Sequence, residues 1–468
     1  MPTSSTATDP GTAHQILVNY GNRIVPPGPA RVVSIDIVRG AVMVLMAIDH
    51  VRVFSGLPAG GPTPGIFLTR WITHFVAPAF IFLAGSSAFL HGRKLATTGT
   101  LARFLWTRGL WLVLLELTVL RVAWTFNFDF SHYLLAGVIW VIGWCMVLLA
   151  GLIFLPVRVL AAFGVVLVFG HNILDAYSQA LFPLIGKSSW GWLWQVLYFG
   201  GPIELGNHGS TLFVLYSIVP WICVMALGYA FGRVVIMDAR SRRNICLALG
   251  TAAIALFLVL RGFNLYGDPR PWSAPKPAPR PVVAQSQQPQ NPQAAQNSST
   301  STAAGAAANP AQPAQAAAKA APSAPPRRPQ PPAWISFLST NKYPASLLFL
   351  LMTLGPVLLI LPFLETAGGR VAGVLTTFGR VPFFYYVLHI PLIHLAAIAV
   401  SLIRSGSVSP WLFLNHPVMI PPAPEGYVWS LGLLYLVFAI VVAVLYLPCR
   451  WFAGLKQRRK DIGFLSYL

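Results

Sequence analysis

The chain has 468 residues, of which 56% are hydrophobic and only 9% charged, with a formal net charge of +20 and a mean hydropathy of +0.65. A water-soluble domain carries about a quarter of its residues as Asp, Glu, Lys or Arg, so this composition excludes one. It points instead to an all-α, polytopic membrane helical bundle, whose surplus of positive charge reports topology before it reports nucleic acid.

In chain order, residues 1–33 read as a polar cytoplasmic tail without the apolar core of a signal peptide, which makes the first helix an uncleaved anchor. Apolar stretches of about 20 residues, enough to cross about 30 Å of hydrocarbon, then mark ten spans. They lie near 34–55, 67–90, 103–122, 132–154, 157–175, 211–233, 244–262, 343–364, 380–403 and 427–448. Residues 34–262 thus form a seven-span membrane domain and 343–448 a three-span one. Between them, 263–342 is rich in Pro, Ala, Gln and Ser and is expected to be a disordered periplasmic linker. Residues 449–468 form a basic cytoplasmic tail.

Placing the N-terminus inside collects Arg93, Lys94, Arg240, Arg242, Arg243, Arg450, Lys456 and Arg458 on the cytoplasmic side, against Lys187 in the short outer loops. This asymmetry predicts a multi-pass protein of the inner (plasma) membrane with both termini cytoplasmic. The outer segment 176–210 carries Trp190, Trp192, Trp194 and Tyr198, which fits an interfacial helix at headgroup depth, with a sugar-stacking platform as the sharper alternative. Cys145, Cys223, Cys246 and Cys449 lie in or beside apolar stretches without CxxC spacing and read as core residues.

The first span, "SIDIVRGAVMVLMAIDHVRVF", keeps Asp36, Arg39, Asp49, His50 and Arg52. Asp36 with Arg39, and Asp49 with Arg52, are three apart and pair on one helical face. His50 is placed in the outer third of its span, and His74, four residues after Arg70, at similar depth in the next. Glu116, His171 with Asp175, His389 and His394 also fall in outer halves of spans. Ionisable groups in spans are functional candidates by default, and imidazole works as a base near neutrality. Each histidine alone also reads as a satisfied packing residue, and Arg39 and Arg52 as snorkelling or paired cations. No HxxxH or HExxH spacing suggests a metal, and no Walker loop, GxSxG elbow or GxGxxG turn suggests a nucleotide or serine-esterase site.

"RVVSIDIVRGAVMVLMAIDH" followed by "RWITHFVAPAFIFLAGSSAF" resembles the catalytic-domain family of heparan-alpha-glucosaminide N-acetyltransferase, membrane acyltransferases with bacterial members. Arg31, Ser34, Asp36, Arg39, Gly40, Pro78, Phe80, Phe82, Gly85, Ser86 and Ser87 carry the likeness, within residues 31–90. The resemblance implies acyl transfer, with acetyl-CoA as co-substrate rather than a bound cofactor, to an extracytoplasmic glycan or amino-sugar acceptor. It also implies a histidine in the loop after the first span, where "SGLPAGGPTPGI" has none. On this reading His50, His74 and Asp49 are catalytic, with His50 and His74 facing each other across a polar pocket. Asp36, Arg39, Arg52, Arg70, Glu116, His171, His389 and His394 then bind substrate. A transporter or flippase for a polar or lipid-linked solute is the alternative, and an assembly protein working through its linker a third. Self-association stays open.

Overall fold

The computed structural model describes residues 19–20, 23–24, 32–60, 63–186, 188–206, 210–273, 331–414 and 422–459, and these are mostly helical. The antiparallel pair β1 (Asn19–Tyr20) and β2 (Arg23–Ile24) precedes α1 (Val33–Phe54). The chain returns as α2 (Pro64–Trp71), a 3-10 turn over 72–75 and α3 (Val76–Gly92), which together make one rod. Thr63 starts it: the side chain accepts the Ile66 amide at 3.4 Å, and Pro64 fills a first-turn position where no N–H partner is needed.

α4 (Thr98–Leu115) passes through a π turn at 116–120 into α5 (Arg121–Thr125). Strand β3 (Tyr133–Ala136) leads into α6 (Val138–Leu152), α7 (Val157–Gly170), α8 (Ile173–Gly186) and α9 (Gly191–Trp194). Strands β4 (Gly201–Glu204) and β5 (Thr211–Val214) complete a small sheet with β5 in the centre, parallel to β3 and antiparallel to β4. Then come α10 (Ile218–Val235) and α11 (Ala239–Gly262). Asp238 caps α11 by accepting the Ser241 amide at 2.9 Å, and that bond holds its exposed carboxyl below the usual range.

The remaining helices are α12 (Ala333–Leu338), α13 (Leu347–Ile360), α14 (Gly369–Arg380), α15 (Pro382–Ser405) and α16 (Leu431–Arg458). Glycines let several of them touch backbone to backbone. A Cβ at Gly85 in α3 would strike the Met225 carbonyl of α10, and one at Gly228 the Phe82 carbonyl. Ser86 donates across the same contact to the Gly228 carbonyl at 2.8 Å. The crossing of α1 and α14 is equally close, at Gly40 against Leu375 and at Gly379 against Asp36. Small residues at a helix crossing are how apolar rods associate without a hydrophobic driving force.

Seven helical runs among the described residues are long and apolar enough to cross a membrane: 64–92, 157–175, 218–235, 239–262, 347–364, 382–405 and 431–458. The ten expected spans reduce to these on length and composition. The other three positions are occupied by α1, whose charges lower its hydropathy, by α4 and α5 with their π turn and arginines, and by α6. That last helix has only 15 residues because the chain before it is strand rather than helix. Likewise 211–214 is β5, so the helix there begins at Ile218.

The linker expected over 263–342 has ordered ends. Arg261, buried at the end of α11, donates to the carbonyls of Arg270, Ser336, Phe337 and Ser339 at 2.8–3.0 Å. Asp268 accepts from the Asn341 amide at 2.7 Å and from Ser346 at 3.1 Å. Residues 274–330 lie outside the described residues. In the 176–210 segment, Trp190, Trp192 and Trp194 are exposed while Tyr198 is buried, its hydroxyl donating to Asp175 at 2.8 Å.

Candidate functional site

Helix α1 carries ionisable groups at both ends, and each end meets its own cavity. At the first end, Arg39 reaches three acceptors at once: Asp36 at 3.3 Å, the Gly379 carbonyl at 3.2 Å and Ser87 Oγ at 2.6 Å. Arginine with its planar fork of donors suits such a junction. Asp36, Arg39 and Ser87 line a cavity of about 1200 Å³. Its lining carries the bases Arg93, Lys94, Arg108, Arg242, Arg380 and Lys456, and Glu365 is paired to Arg242 at 2.5 Å. Apolar walls come from Phe80, Ala84, Leu105, Leu112, Ile142, Met146 and Phe383.

Fourteen residues further along α1, about 21 Å at 1.5 Å per residue, lie Asp49, His50 and Arg52. The Asp49 carboxylate accepts from Arg52 Nε at 2.8 Å and from Arg70 Nη1 at 3.0 and 3.2 Å. Arg52 also donates to the Leu57 carbonyl at 2.9 Å. Two guanidiniums on one carboxylate fix the last turn of α1 against α2 and leave His50 in a set orientation.

His50 Nδ1 lies 2.6 Å from His389 Nε2, and His389 Nδ1 lies 2.5 Å from the Tyr386 carbonyl. A carbonyl only accepts, so His389 Nδ1 carries a proton. In the neutral ring Nε2 then accepts, and His50 Nδ1 must donate to it. The unprotonated nitrogen of a neutral His50 is therefore Nε2. The rings stack at 4.8 Å between centroids, and Trp124 closes on His50 edge-on at 4.9 Å.

A cavity of about 40 Å³ opens beside His50, lined also by Met46, Asp49, Thr73, Val76, Ala77, Val138, Tyr216 and Lys342. Val138 faces this small cavity and its neighbour Ile139 the large one, so the two approach each other at the start of α6. Glu116 stands at that partition. The backbone amides of Gly137, Ile139 and Trp140 hydrogen-bond it, while its Oε2 has no hydrogen-bond partner among the described residues.

The expected face-to-face arrangement of His50 and His74 is corrected. His74 occupies the 3-10 turn between α2 and α3, which aims its ring edge-on at Phe349 of α13, 5.5 Å away. Its backbone neighbour Thr73 lines the small cavity in its place. The imidazole opposite His50 belongs to His389. His171 is engaged elsewhere, its nitrogens 2.9 Å from the Leu167 and Ala345 carbonyls. His394 stacks on Phe126 at 3.9 Å and beside Phe54 at 4.8 Å, with Nδ1 3.4 Å from the Ala123 carbonyl.

Sequence reasoning missed Lys342 and Tyr216. Lys342 fell within the stretch read as linker. The signal was present in "AWISFL" just before it, where Trp, Ile, Phe and Leu break the Pro/Ala/Gln pattern, and Ile335 is indeed buried. Tyr216 gave no charge to notice.

No curated protein matches the chain. The sequence model described as heparan-alpha-glucosaminide N-acetyltransferase, catalytic, matches residues 31–265. That range holds α1, the Arg39–Ser87 junction, Asp49, His50 and the start of α6, and it spans half of the protein. The chain belongs to the heparan-alpha-glucosaminide N-acetyltransferase catalytic family.

Proposed function

We propose that the protein is an integral membrane acyltransferase that moves an acyl group, acetyl by analogy with its family, from cytosolic acyl-CoA to an amino-sugar or glycan acceptor on the opposite face. The observation that carries this reading is the pair of cavities of contrasting chemistry that approach each other at the N-terminus of α6. The large cavity suits acyl-CoA: bases for phosphates and apolar walls for the acyl end. Its surplus of Lys and Arg favours the cytosolic side. On this reading the bundle has ten spans, the further three being α1, whose charges are paired, α4 with α5, and the short apolar α6.

The acceptor docks at the mouth of the small cavity, within reach of His50. His50 Nε2 takes a proton from its amine or hydroxyl as that atom attacks the thioester carbonyl. The tetrahedral oxyanion collapses, the carbon–sulfur bond breaks, and the imidazolium returns its proton to the departing thiolate. His389 holds His50 in the required tautomer, and Asp49, clamped by Arg52 and Arg70, holds the helix turn that bears it.

Detergent-purified protein given acetyl-CoA and glucosamine is expected to release free thiol, measured with a thiol reagent. His50→Ala should lower the rate by at least about 100-fold, the usual contribution of a general base, with the melting temperature preserved. Unchanged turnover in that variant sinks the assignment.

A further inference from the structure

Lys342 is 8% exposed and lines the small cavity with Asp49, His50 and Tyr216. The faces of Tyr343 and Tyr216 lie 5.2 and 5.9 Å from it. Such faces attract a cation without neutralising it. The acid of this cavity is Asp49, and it is already taken by Arg52 and Arg70. Among the described residues no salt bridge reaches Lys342. Arg52, Arg70 and Lys342 thus set three cations against one carboxylate. The walls are otherwise apolar or neutral, from Met46, Val76, Ala77 and Val138. A buried ammonium whose one neighbouring carboxylate is already shared by two guanidiniums is under-compensated, a costly state that is relieved when an anion arrives.

We propose that the small cavity is an anion subsite and that Lys342 recognises a carboxylate or phosphate group carried by the acceptor, close to the atom that is acylated. This rests on the acyltransfer reading for the word acceptor, but the binding itself does not. The size of the cavity agrees: about 40 Å³ is a few times the 10–15 Å³ of one water, enough for a small oxyanion head but not for a sugar ring. The ring stays at the mouth, its charged group inside. The contact between the two ordered linker ends supplies the rigidity, because Asp268 accepts the Asn341 amide at 2.7 Å and so fixes the residue next to Lys342.

The test is equilibrium binding to the purified full chain of three probes that share a pyranose ring: glucose, glucuronate and glucose 6-phosphate. At least one anionic probe should bind about tenfold or more tightly than glucose, and which one does so identifies the oxyanion. Lys342→Met should remove the preference, while Lys342→Arg should keep most of it. Equal binding of all three probes to the wild-type protein overturns the proposal, and this comparison stands even if a variant fails to fold. So does a Lys342→Met protein that still prefers the anions. Thiol release without anion preference defeats this inference alone, whereas anion preference without thiol release defeats the acyltransfer reading alone.

Discussion

His389 sits 339 residues beyond His50 in sequence, yet their ring nitrogens are 2.6 Å apart. The chain of donors ending at the Tyr386 carbonyl gives His389 a positioning role: it fixes which nitrogen of His50 is free. Removing it should therefore damage turnover more than binding. His389→Ala is expected to lower kcat by about 100-fold, less than the ~10⁴ lost when a triad histidine is held in the wrong tautomer, with little change in KM for acetyl-CoA. His389→Gln, whose side-chain oxygen still accepts from His50, should recover part of the loss. Steady-state kinetics decide it; a fall in affinity at constant kcat counts against the role. His50 was visible in the sequence as an ionisable group in an apolar stretch. Its partner was not, since depth along adjacent spans favours His74, whereas the ring that meets it arrives on α15 after a long detour. Lys342 stayed hidden because composition alone assigned its neighbourhood to the linker.

At the scale of elements, the crossings at Gly40 and Gly228 are set by backbone contact rather than by side-chain ridges. Valine at either site must push the facing helix away, an overpacking that costs about 1–3 kcal/mol or more. A methyl group added at Gly151 in α6 would meet no atom within 4 Å, so Gly151→Ala should be neutral or stabilising by up to about 1 kcal/mol. Thermal unfolding of the three variants in detergent checks the contrast; equal melting temperatures would show that the crossings tolerate spreading. The small residues of "GSSAF" are legible in the sequence as a stretch suited to close helix packing. The sequence did not anticipate α14, because "GRVAGVLTTFGR" is too polar on one face to read as a span, and only its seat against α1 explains its helix. The sheet β3–β5–β4 escaped for the opposite reason: its strands are apolar enough to merge into the flanking helices.

For the whole molecule, hydropathy carried most of the helical layout, and what it could not supply was which ends of the chain are tied together. The guanidinium of Arg261 gathers residues from both sides of 274–330. On the proposed orientation, a protease added outside intact cells should cut within that stretch. The two products should then purify as one particle in mild detergent, and separation of the fragments would show that the contacts of Arg261 do not hold them. Arg261→Gln should weaken the association. Because Arg261 joins the two sides of 274–330 directly, their association does not depend on the covalent link between them. The gene should therefore tolerate being divided there into two separately translated polypeptides that assemble into one particle.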